Sequence, residues 1–270
     1  MVYAFDSSTI SLCLKLCPWA KFLKNKGGIK MHTLVDLRGN LPVSVYLTSA
    51  SVNDVKALDN LYIAPSAIYL MDRGYVDFNR LFKLITKKNA FFVTRAKDNM
   101  LFEVVSEAEV DKSTGIISDE SIKLTGLHTA KWYPEELRMV TYEDYATNKV
   151  YRFLTNNMEY EPLTISELYR ERWNVELYFK WIKQHLHIKS FYGTSENAIY
   201  LQIRIAICTY LLLAYAKKVM HIDQSLHTIS KNVGLFLTDK TPLNELFNKA
   251  VPTEETEDWL YPSLFCPDDF

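Results

Sequence analysis

The chain has 270 residues, of which 48% are hydrophobic, 13% aromatic and 23% charged, with a formal net charge of -1. This length and composition allow one large domain or two small ones, each with a core, and they exclude a disordered chain. A near-neutral net charge gives no general argument for a nucleic-acid partner.

Charge is unevenly distributed along the chain. Residues 1–38 hold six Lys or Arg against two Asp, whereas residues 101–145 hold ten acidic residues against four basic ones. The last 21 residues hold six acidic residues and no basic one. Any nucleic acid is therefore expected to contact local patches, and the acidic segments argue against strong nonspecific affinity.

Cys13, Cys17, Cys208 and Cys266 lack the spacing of a zinc site, so we expect reduced thiols in a cytoplasmic protein. No signal peptide opens the chain. The longest apolar run, residues 205–216, is shorter than a bilayer-crossing segment. It predicts a buried core helix over about residues 196–218.

Alternating and fully apolar runs predict a mixed sheet with helices against it in the first 96 residues. The predicted strands are residues 1–5, 29–37, 41–48, 67–71 and 90–94. The second and third form a hairpin, and a helix is expected over residues 78–87. Asn53 or Asp54 is expected to cap a short helix that ends near Asn60.

Basic and aromatic residues are interleaved between Ser11 and Lys26, ahead of Gly27 and Gly28. Two interpretations stand side by side. The segment is either a loop that follows a phosphate backbone or a solvated loop whose aromatic residues cover the core. In both, the glycine pair ends the loop.

Two aspartates follow predicted strands: Asp6 after residues 1–5, and Asp72 after residues 67–71. Ligand chemistry in open sheets collects at the carboxyl ends of the strands. If these two strands are neighbours, the carboxylates face each other. Taken singly, each aspartate is also typical of a cap or a turn.

Residues 169–183 predict one helix with a polar stripe beside its apolar stripe. At about 100° per residue, Tyr169, Arg172, Glu176 and Lys183 share an arc of roughly 60°. A salt-bridged surface helix would place its charges opposite the core face instead. Glu176 is therefore expected at the edge of the core, flanked by cations.

Other segments complete the predicted organisation. Thr164 or Ser166 is expected to cap this helix, with Glu167 closing a capping box. Weak helical periodicity predicts a β-rich insertion over residues 97–156, between two parts of the core at 1–96 and 157–235. A C-terminal tail covers residues 236–270. His185 and His187 diverge by about 200° on a helix and cannot share a metal ion.

Asp6, Asp72 and Glu176 together suit a pair of Mg²⁺ ions, because hard cations prefer oxygen ligands. Two such ions stabilise both the attacking and the leaving oxygen of a displacement at phosphorus. Without a metal, three clustered carboxylates would repel one another and their pKa values would rise. Arg172 and Lys183 are suited to hold backbone phosphates.

The series Tyr169-x2-Arg172-x3-Glu176-x6-Lys183 resembles the YREK signature of DDE transposases of bacterial insertion sequences, in insertion-sequence family four. Asp6 in AFDSSTI and Asp72 in YLMDRGY resemble that family's first two catalytic aspartates. The resemblance covers roughly residues 1–235 and implies an α/β, RNase H-like fold. It implies cut-and-paste transposition that needs Mg²⁺, which Mn²⁺ can replace.

The resemblance also implies partners and residue roles. A homodimer would join two double-stranded transposon ends in a synaptic complex, nick them with water, and use the freed 3′-OH for strand transfer. Asp6, Asp72 and Glu176 would be catalytic and bind the metal. The DNA-binding residues would be Tyr169, Arg172, Lys183, Lys30 and Tyr151.

Tyr151 has two interpretations, as has Trp132. Some relatives stack a flipped base on an aromatic residue of the insertion, and either side chain offers a suitable ring. Simple burial in the core is the alternative for both.

The family's full-length members carry an N-terminal DNA-recognition domain ahead of the first strand. The chain begins at that strand, which predicts a truncated product or an internal start. Three functions follow: a transposase catalytic domain, a catalytically silent remnant that binds DNA or intact transposase, and a general RNase H-like nuclease. The polar stripe favours the first over the third.

Overall fold

The computed structural model describes residues 1–186, 188, 190–236, 238 and 247. The chain divides into two compact units, of which the first contains Met1–Phe179 and the second begins at Lys180. The division at residues 96, 156 and 235 stays a prediction, and most of the 236–270 tail lies outside the described residues.

A ten-stranded mixed sheet forms the centre of the first unit. Its strands are β1 Val2–Leu12, β2 Lys21–Leu23, β3 Lys26–Asp36, β4 Leu41–Ser49, β5 Ile68–Met71, β6 Phe91–Arg95, β7 Phe102–Glu107, β8 Ile116–Leu124, β9 Leu137–Asp144 and β10 Lys149–Thr155. The order is β2-β3-β1-β5-β6-β10-β9-β8-β7, and β4 pairs with β3. β1, β5 and β6 are parallel, whereas β3 is antiparallel to β1 and to β4. This confirms the mixed sheet and the hairpin.

The predicted β-rich insertion is present as β7 to β10. These strands form an antiparallel meander, and β10 pairs with β6 of the core sheet. The insertion therefore extends the core sheet.

The helices are α1 Phe78–Arg80, α2 Thr129–Trp132, α3 Pro162–Arg170, α4 Trp173–His185, α5 Glu196–Val219 and α6 Leu226–Leu235. A π-helical segment at Leu81–Ile85 and a 3-10 segment at Thr86–Lys88 continue α1. Together the three segments match the helix that was expected over residues 78–87. The short helix near residue 54 is 3-10, and Asn53 caps it by accepting from the Val55 amide. That cap was predicted.

The core lies on both faces of the central strands. Tyr69 and Met71 of β5 pack into one cluster with Phe5, whereas Ile68 and Leu70 pack into another cluster on the opposite face. Burial on both faces explains why this strand lacks polar alternation.

Two expectations about the N-terminal segment are wrong. β1 does not end before Asp6 but continues to Leu12, because β3 pairs with it along that whole length. Gly27 and Gly28 lie inside β3, where an added Cβ would approach the β1 backbone to 3.0 and 2.9 Å. The glycines are needed for close strand approach and do not end a loop.

The capping prediction is also wrong. α3 begins at Pro162 after Glu161, and no side chain caps it. Proline suits the first helical position because its fixed φ matches the helix and the missing N–H has no partner there anyway. The Ser166 hydroxyl donates to the Leu163 carbonyl instead of capping an amide.

The α5 helix was expected to be buried, but only one of its faces is. Its buried residues are Ile199, Ile203, Ala206, Ile207, Tyr210 and Leu213. Among the described residues, α5 is long and apolar enough to cross a membrane, a property that core helices of soluble proteins share. Cys13, Cys17 and Cys208 are free thiols, as expected, and Cys266 lies outside the described residues.

We predict that Gly28→Ala lowers the free energy of unfolding by about 1–3 kcal/mol, because the new methyl group meets the Ile10 carbonyl oxygen at 2.9 Å. Gly39→Ala is the control, since its nearest neighbour would be Leu41 at 3.7 Å. Urea denaturation of both variants measures the difference. Equal stabilities would contradict the close strand approach.

Candidate active site

Asp6 and Asp72 lie next to each other on neighbouring strands. The parallel pairing of β1 with β5 ends at Phe5 and Met71, so each aspartate is the residue that follows. The condition set in the sequence analysis, that these two strands are neighbours, is therefore met. Asp6 Oδ1 accepts a hydrogen bond from the Ser7 amide at 2.7 Å.

The predicted continuous helix over residues 169–183 is wrong. α3 ends at Arg170 and α4 starts at Trp173, so Arg172 lies in the turn between them. The Arg172 amide donates to the Tyr169 carbonyl, and the Val175 amide donates to the Arg172 carbonyl. These bonds span three residues instead of four, so a uniform 100° step does not apply across this turn.

The turn places the Arg172 guanidinium between two carboxylates. Nη2 is 2.7 Å from Glu176 Oε1, and Nη1 is 3.3 Å from Asp6 Oδ2. The guanidinium carbon lies 5.6 Å from the centre of the Tyr169 ring, and the side chain is only 8% exposed. Burial acts to lower the pKa of Arg172. The Tyr169 hydroxyl and the carboxylates of Glu176, Asp6 and Asp72 outweigh burial, so this pKa lies above its usual value. Arg172 is therefore the internal counter-ion of the carboxylate cluster.

Asp72 has a second cation beside it. Arg95 Nη2 is 3.3 Å from Asp72 Oδ1, and the Tyr169 hydroxyl donates to the same oxygen at 3.5 Å. Burial acts to raise the pKa of Asp72, but Arg172, Arg95 and two backbone amides outweigh it and lower this pKa. Burial raises the pKa of Tyr169 to about 12. Asp72 is thus ionised at neutral pH.

Asp6 behaves differently from Asp72. Burial raises the pKa of Asp6 to about 7, and the charges of Glu176 and Asp72 add to the rise that Arg172 and the Ser7 amide oppose. Asp6 is therefore partly protonated near neutral pH. It interacts electrostatically with both other carboxylates.

The donor set fits a hard divalent cation, because all three side chains offer carboxylate oxygens. Among the residues that the structure describes, no group of three His, Cys, Asp or Glu side chains converges closely enough for one metal ion. Arg172 separates Asp6 from Glu176, so an ion shared by them would need the guanidinium to move.

Lys30 forms an ion pair and a hydrogen bond within the protein. Its Nζ lies 3.0 Å from Asp54 Oδ2 and 3.0 Å from the Val52 carbonyl oxygen. Asp54 also accepts from the Ser7 hydroxyl at 2.6 Å, which links Lys30 to the residue after Asp6. Contact of Lys30 with DNA stays a prediction.

The two aromatic candidates have different surroundings. Tyr151 is 7% exposed and stacks on Phe153 in the core, which fits the burial interpretation. Trp132 is 45% exposed, stacks on His128 and lines a surface cavity of about 430 Å³ with Lys97. Base stacking by either residue stays a prediction.

Lys183 follows Glu176 by seven residues within α4 and belongs to the second unit. Its contact with DNA stays a prediction. His185 lies against His227, with ring centres 4.1 Å apart, and His187 is outside the described residues.

Sequence reasoning missed Arg95. Thr94 pairs with Met71, so Arg95 sits at the same level of the sheet as Asp72. Arg95 follows the predicted strand 90–94 as Asp72 follows 67–71, so the strand-end rule points to both residues, but only acidic residues were considered there. The Ser7–Asp54–Lys30 group had no comparable pattern, because it joins residues that are distant in sequence.

Comparison of the sequence with known proteins shows what this chain is similar to. A family model described as the transposase DDE domain matches residues 1–212. A putative transposase y4zB of Sinorhizobium fredii is 36% identical over 226 residues, which cover 82% of this chain and 62% of the relative. A probable transposase for insertion sequence element IS5377 of Geobacillus stearothermophilus is 29% identical over 247 residues, or 88% and 63%. A putative transposase for insertion sequence element IS4SA of Synechocystis is 25% identical over 248 residues, or 88% and 64%.

A solved structure shares the fold. The piggyBac transposase, in a synaptic complex with hairpin DNA, matches with a TM-score of 0.53 and 15% identity. The match covers 94% of this chain and 59% of that one. The predicted RNase H-like fold is confirmed.

The chain belongs to the transposase DDE-domain family. Enzymes of this family are polynucleotidyl transferases that generally use divalent metal ions. The chain spans about 62 to 64% of the length of the curated relatives it matches. The YREK assignment within the family stays a prediction.

We predict that Arg172→Ala lowers the free energy of unfolding by about 3–5 kcal/mol at pH 8 with a chelator present. The variant leaves the partly buried carboxylates of Asp6 and Glu176 without the cation that pairs with both. Lys87→Ala is the matched control, because that cation is 58% exposed in its pair with Glu135 and is worth less than about 1 kcal/mol. Urea denaturation compares them, and equal losses would contradict the counter-ion role.

We predict that Asp6→Asn gains stability relative to wild type as pH rises from 4 to 7. The pKa of Asp6 is 3.8 in the unfolded chain and about 7 in the folded chain. The free energy of unfolding of wild type therefore falls as pH rises between these two values and does not fall further above pH 7 on account of Asp6. The difference grows by at most about 1.4 kcal/mol per pH unit. Denaturation in chelator at pH 4.5, 6 and 8 measures it, with the 85% exposed Asp98→Asn as control. A pH-independent difference would show that burial does not hold the Asp6 proton.

Proposed function

We propose that this chain is the catalytic region of an insertion-sequence transposase that cuts and transfers DNA strands with bound divalent metal. The observation that carries the proposal is that Asp6 and Glu176 flank one buried arginine, Arg172, whose charge also acts on Asp72. Membership of the DDE-domain family supports it. We propose Mg²⁺ as the ion, with Mn²⁺ as a substitute.

Asp6, Asp72 and Glu176 hold the metal in this proposal. When bound, such ions would supply stabilisation of the charge on the attacking and leaving oxygens at the scissile phosphate. Asp72 is already ionised, whereas Asp6 must lose its proton to become a ligand. Metal affinity should therefore fall below pH 7.

In this proposal, Arg172 binds the site carboxylates when metal is absent and a DNA phosphate when metal is bound. Without metal its guanidinium neutralises Asp6 and Glu176. With metal bound, the carboxylates no longer need that charge, and Arg172 becomes available to hold a DNA phosphate bidentately. Tyr169 supports the same phosphate, and Lys183, Lys30 and Tyr151 extend the DNA contact as predicted from the resemblance.

The proposed partners are double-stranded transposon ends and target DNA, bound by a homodimer in a synaptic complex. The proposed location is the bacterial cytoplasm, at the nucleoid. Cleavage produces a 3′-OH that attacks the other strand or the target, and the same carboxylates serve each step.

A second candidate is a catalytically silent chain that binds DNA or intact transposase. The position of Arg172 between Asp6 and Glu176 favours it, because an ion shared by these carboxylates requires the guanidinium to move. The two candidates differ in one measurable property, the metal-dependent cleavage of DNA.

We predict that the chain nicks supercoiled plasmid with Mn²⁺ or Mg²⁺, and that it nicks and joins a fragment carrying its own element's end. Glu176→Gln should lower either rate by at least about 100-fold, since it removes a metal ligand. Glu171→Gln is the matched control: it lies five residues earlier, is exposed and bonds Asn174.

Three outcomes separate the candidates. Loss in Glu176→Gln alone supports the enzyme. Equal inactivity of wild type and Glu176→Gln, with DNA binding retained, supports the silent chain. Nicking that both variants retain equally would remove Glu176 from the site.

A further inference from the structure

The outward face of α5 carries a continuous apolar stripe. Leu201, Ile205, Leu212, Tyr215 and Val219 are between 55 and 68% exposed, and Cys208 between them is exposed as well. The opposite face of α5 packs within the second unit, where Leu213 contacts Ile222 and Ile229. One apolar face of α5 is therefore packed against other residues, and a second apolar face is exposed to solvent.

The exposed stripe has the spacing of a coiled-coil seam. Its residues are separated by four, three, four, three and four positions, which is the a/d pattern of a heptad repeat. Ile205, Leu212 and Val219 occupy a positions, and the other three residues occupy d positions. An outward face of a solvated helix would be polar instead. The spacing indicates another helix as the covering surface.

A lipid bilayer fits this face less well. Arg204 is exposed beside Ile205, in the first half of the helix. A charged side chain at that depth is costly against hydrocarbon but acceptable at the rim of a helix pair.

We propose that this stripe, the α5 seam, binds the α5 seam of a second copy of the chain in a parallel, in-register pair. Identical residues then face each other about a two-fold axis, which makes the seam self-complementary. β-branched residues at two of the three a positions favour two-stranded parallel pairing. This deepens the homodimer part of the proposed function by naming its surface.

Charge selects the parallel direction. In a parallel pair Arg204 lies beside the partner subunit's Thr209, since g positions face e positions. In an antiparallel pair with the same apolar layers, Arg204 would face the partner subunit's Lys218. Both cations are exposed, and no acidic residue follows Glu196 in α5 to neutralise them.

The size of the seam sets the expected affinity. Six side chains that each lose on the order of 100 Å² give roughly 600 Å² per copy, somewhat below the ~800 Å² of a stable interface. The pair should therefore dissociate at micromolar concentrations and be strengthened when two DNA ends are held together.

Sedimentation velocity of the full chain between about 1 and 200 µM, under reducing conditions, tests the seam. We expect a reversible dimer, and we expect Leu212→Glu to weaken it at least tenfold. Val104→Glu is the matched control, because Val104 is 50% exposed on β7, outside α5. A monomer at every concentration, or a dimer unaffected by Leu212→Glu, would overturn the proposal.

Oxidation with copper phenanthroline tests the direction. In a Cys13→Ser, Cys266→Ser background, we expect Cys208 to form a disulfide between copies, because in-register d positions face each other. A dimer that Leu212→Glu disrupts but that gives no Cys208 disulfide would overturn the parallel arrangement. Flotation of the chain with phosphatidylcholine–phosphatidylglycerol vesicles, lost in Leu212→Glu, would assign the seam to a membrane instead.

Glu176→Gln separates this inference from the proposed catalysis. It should dimerise like wild type while losing DNA cleavage. A normal dimer without cleavage in wild type would sink the enzyme proposal alone, and normal cleavage by a chain that never dimerises would sink the seam alone.

Discussion

One buried guanidinium organises the candidate site. Arg172 lies 2.7 Å from Glu176 and 3.3 Å from Asp6, and it also lowers the pKa of Asp72. Three carboxylates that come from separate elements would otherwise repel one another in a partly buried place. The pairing also explains why the carboxylates do not converge on a single point, since a cation already stands between two of them. Exchange of the Arg172 charge for a metal ion, as proposed, would leave neither the carboxylates nor the cation without a partner.

The sheet fixes the positions of Asp6 and Asp72. Parallel pairing of β1 with β5 stops at Phe5 and Met71, and the next residue on each strand is an acid. β1 nevertheless continues to Leu12 along β3, so Asp6 has a rigid strand on both sides of it in sequence. Asp72 begins a 3-10 turn instead. Burial acts to raise the pKa of both aspartates. Asp72 has Arg95 and two backbone amides beside it in addition to Arg172, so its pKa is lowered whereas that of Asp6 is raised.

Sequence periodicity succeeded where elements are regular and failed where the chain bends. The strand at β5 was predicted over residues 67–71, because a short apolar run without alternation is typical of a strand buried on both faces. The break at Glu171 and Arg172 was not, because both residues are good helix formers and no proline or glycine marks the turn. The polar stripe was therefore placed on one helix, although two helices and a turn present it. α5 shows the same limit, since apolar composition does not tell which face is covered.

The sequence by itself predicted the mixed sheet, the β-rich insertion and the candidate acidic residues Asp6, Asp72 and Glu176, because strand ends, apolar runs and charge spacing are local properties. The family followed from the resemblance of its motifs. Only the tertiary structure decided which charges meet. Arg172 and Asp6 are 166 positions apart, and Ser7 and Asp54 are 47 apart. Arg95 joined the site because β6 pairs with β5 in a register that the sequence does not state. Contacts of this kind depend on how elements pack, and packing is set by the sum of many weak interactions that no short segment contains.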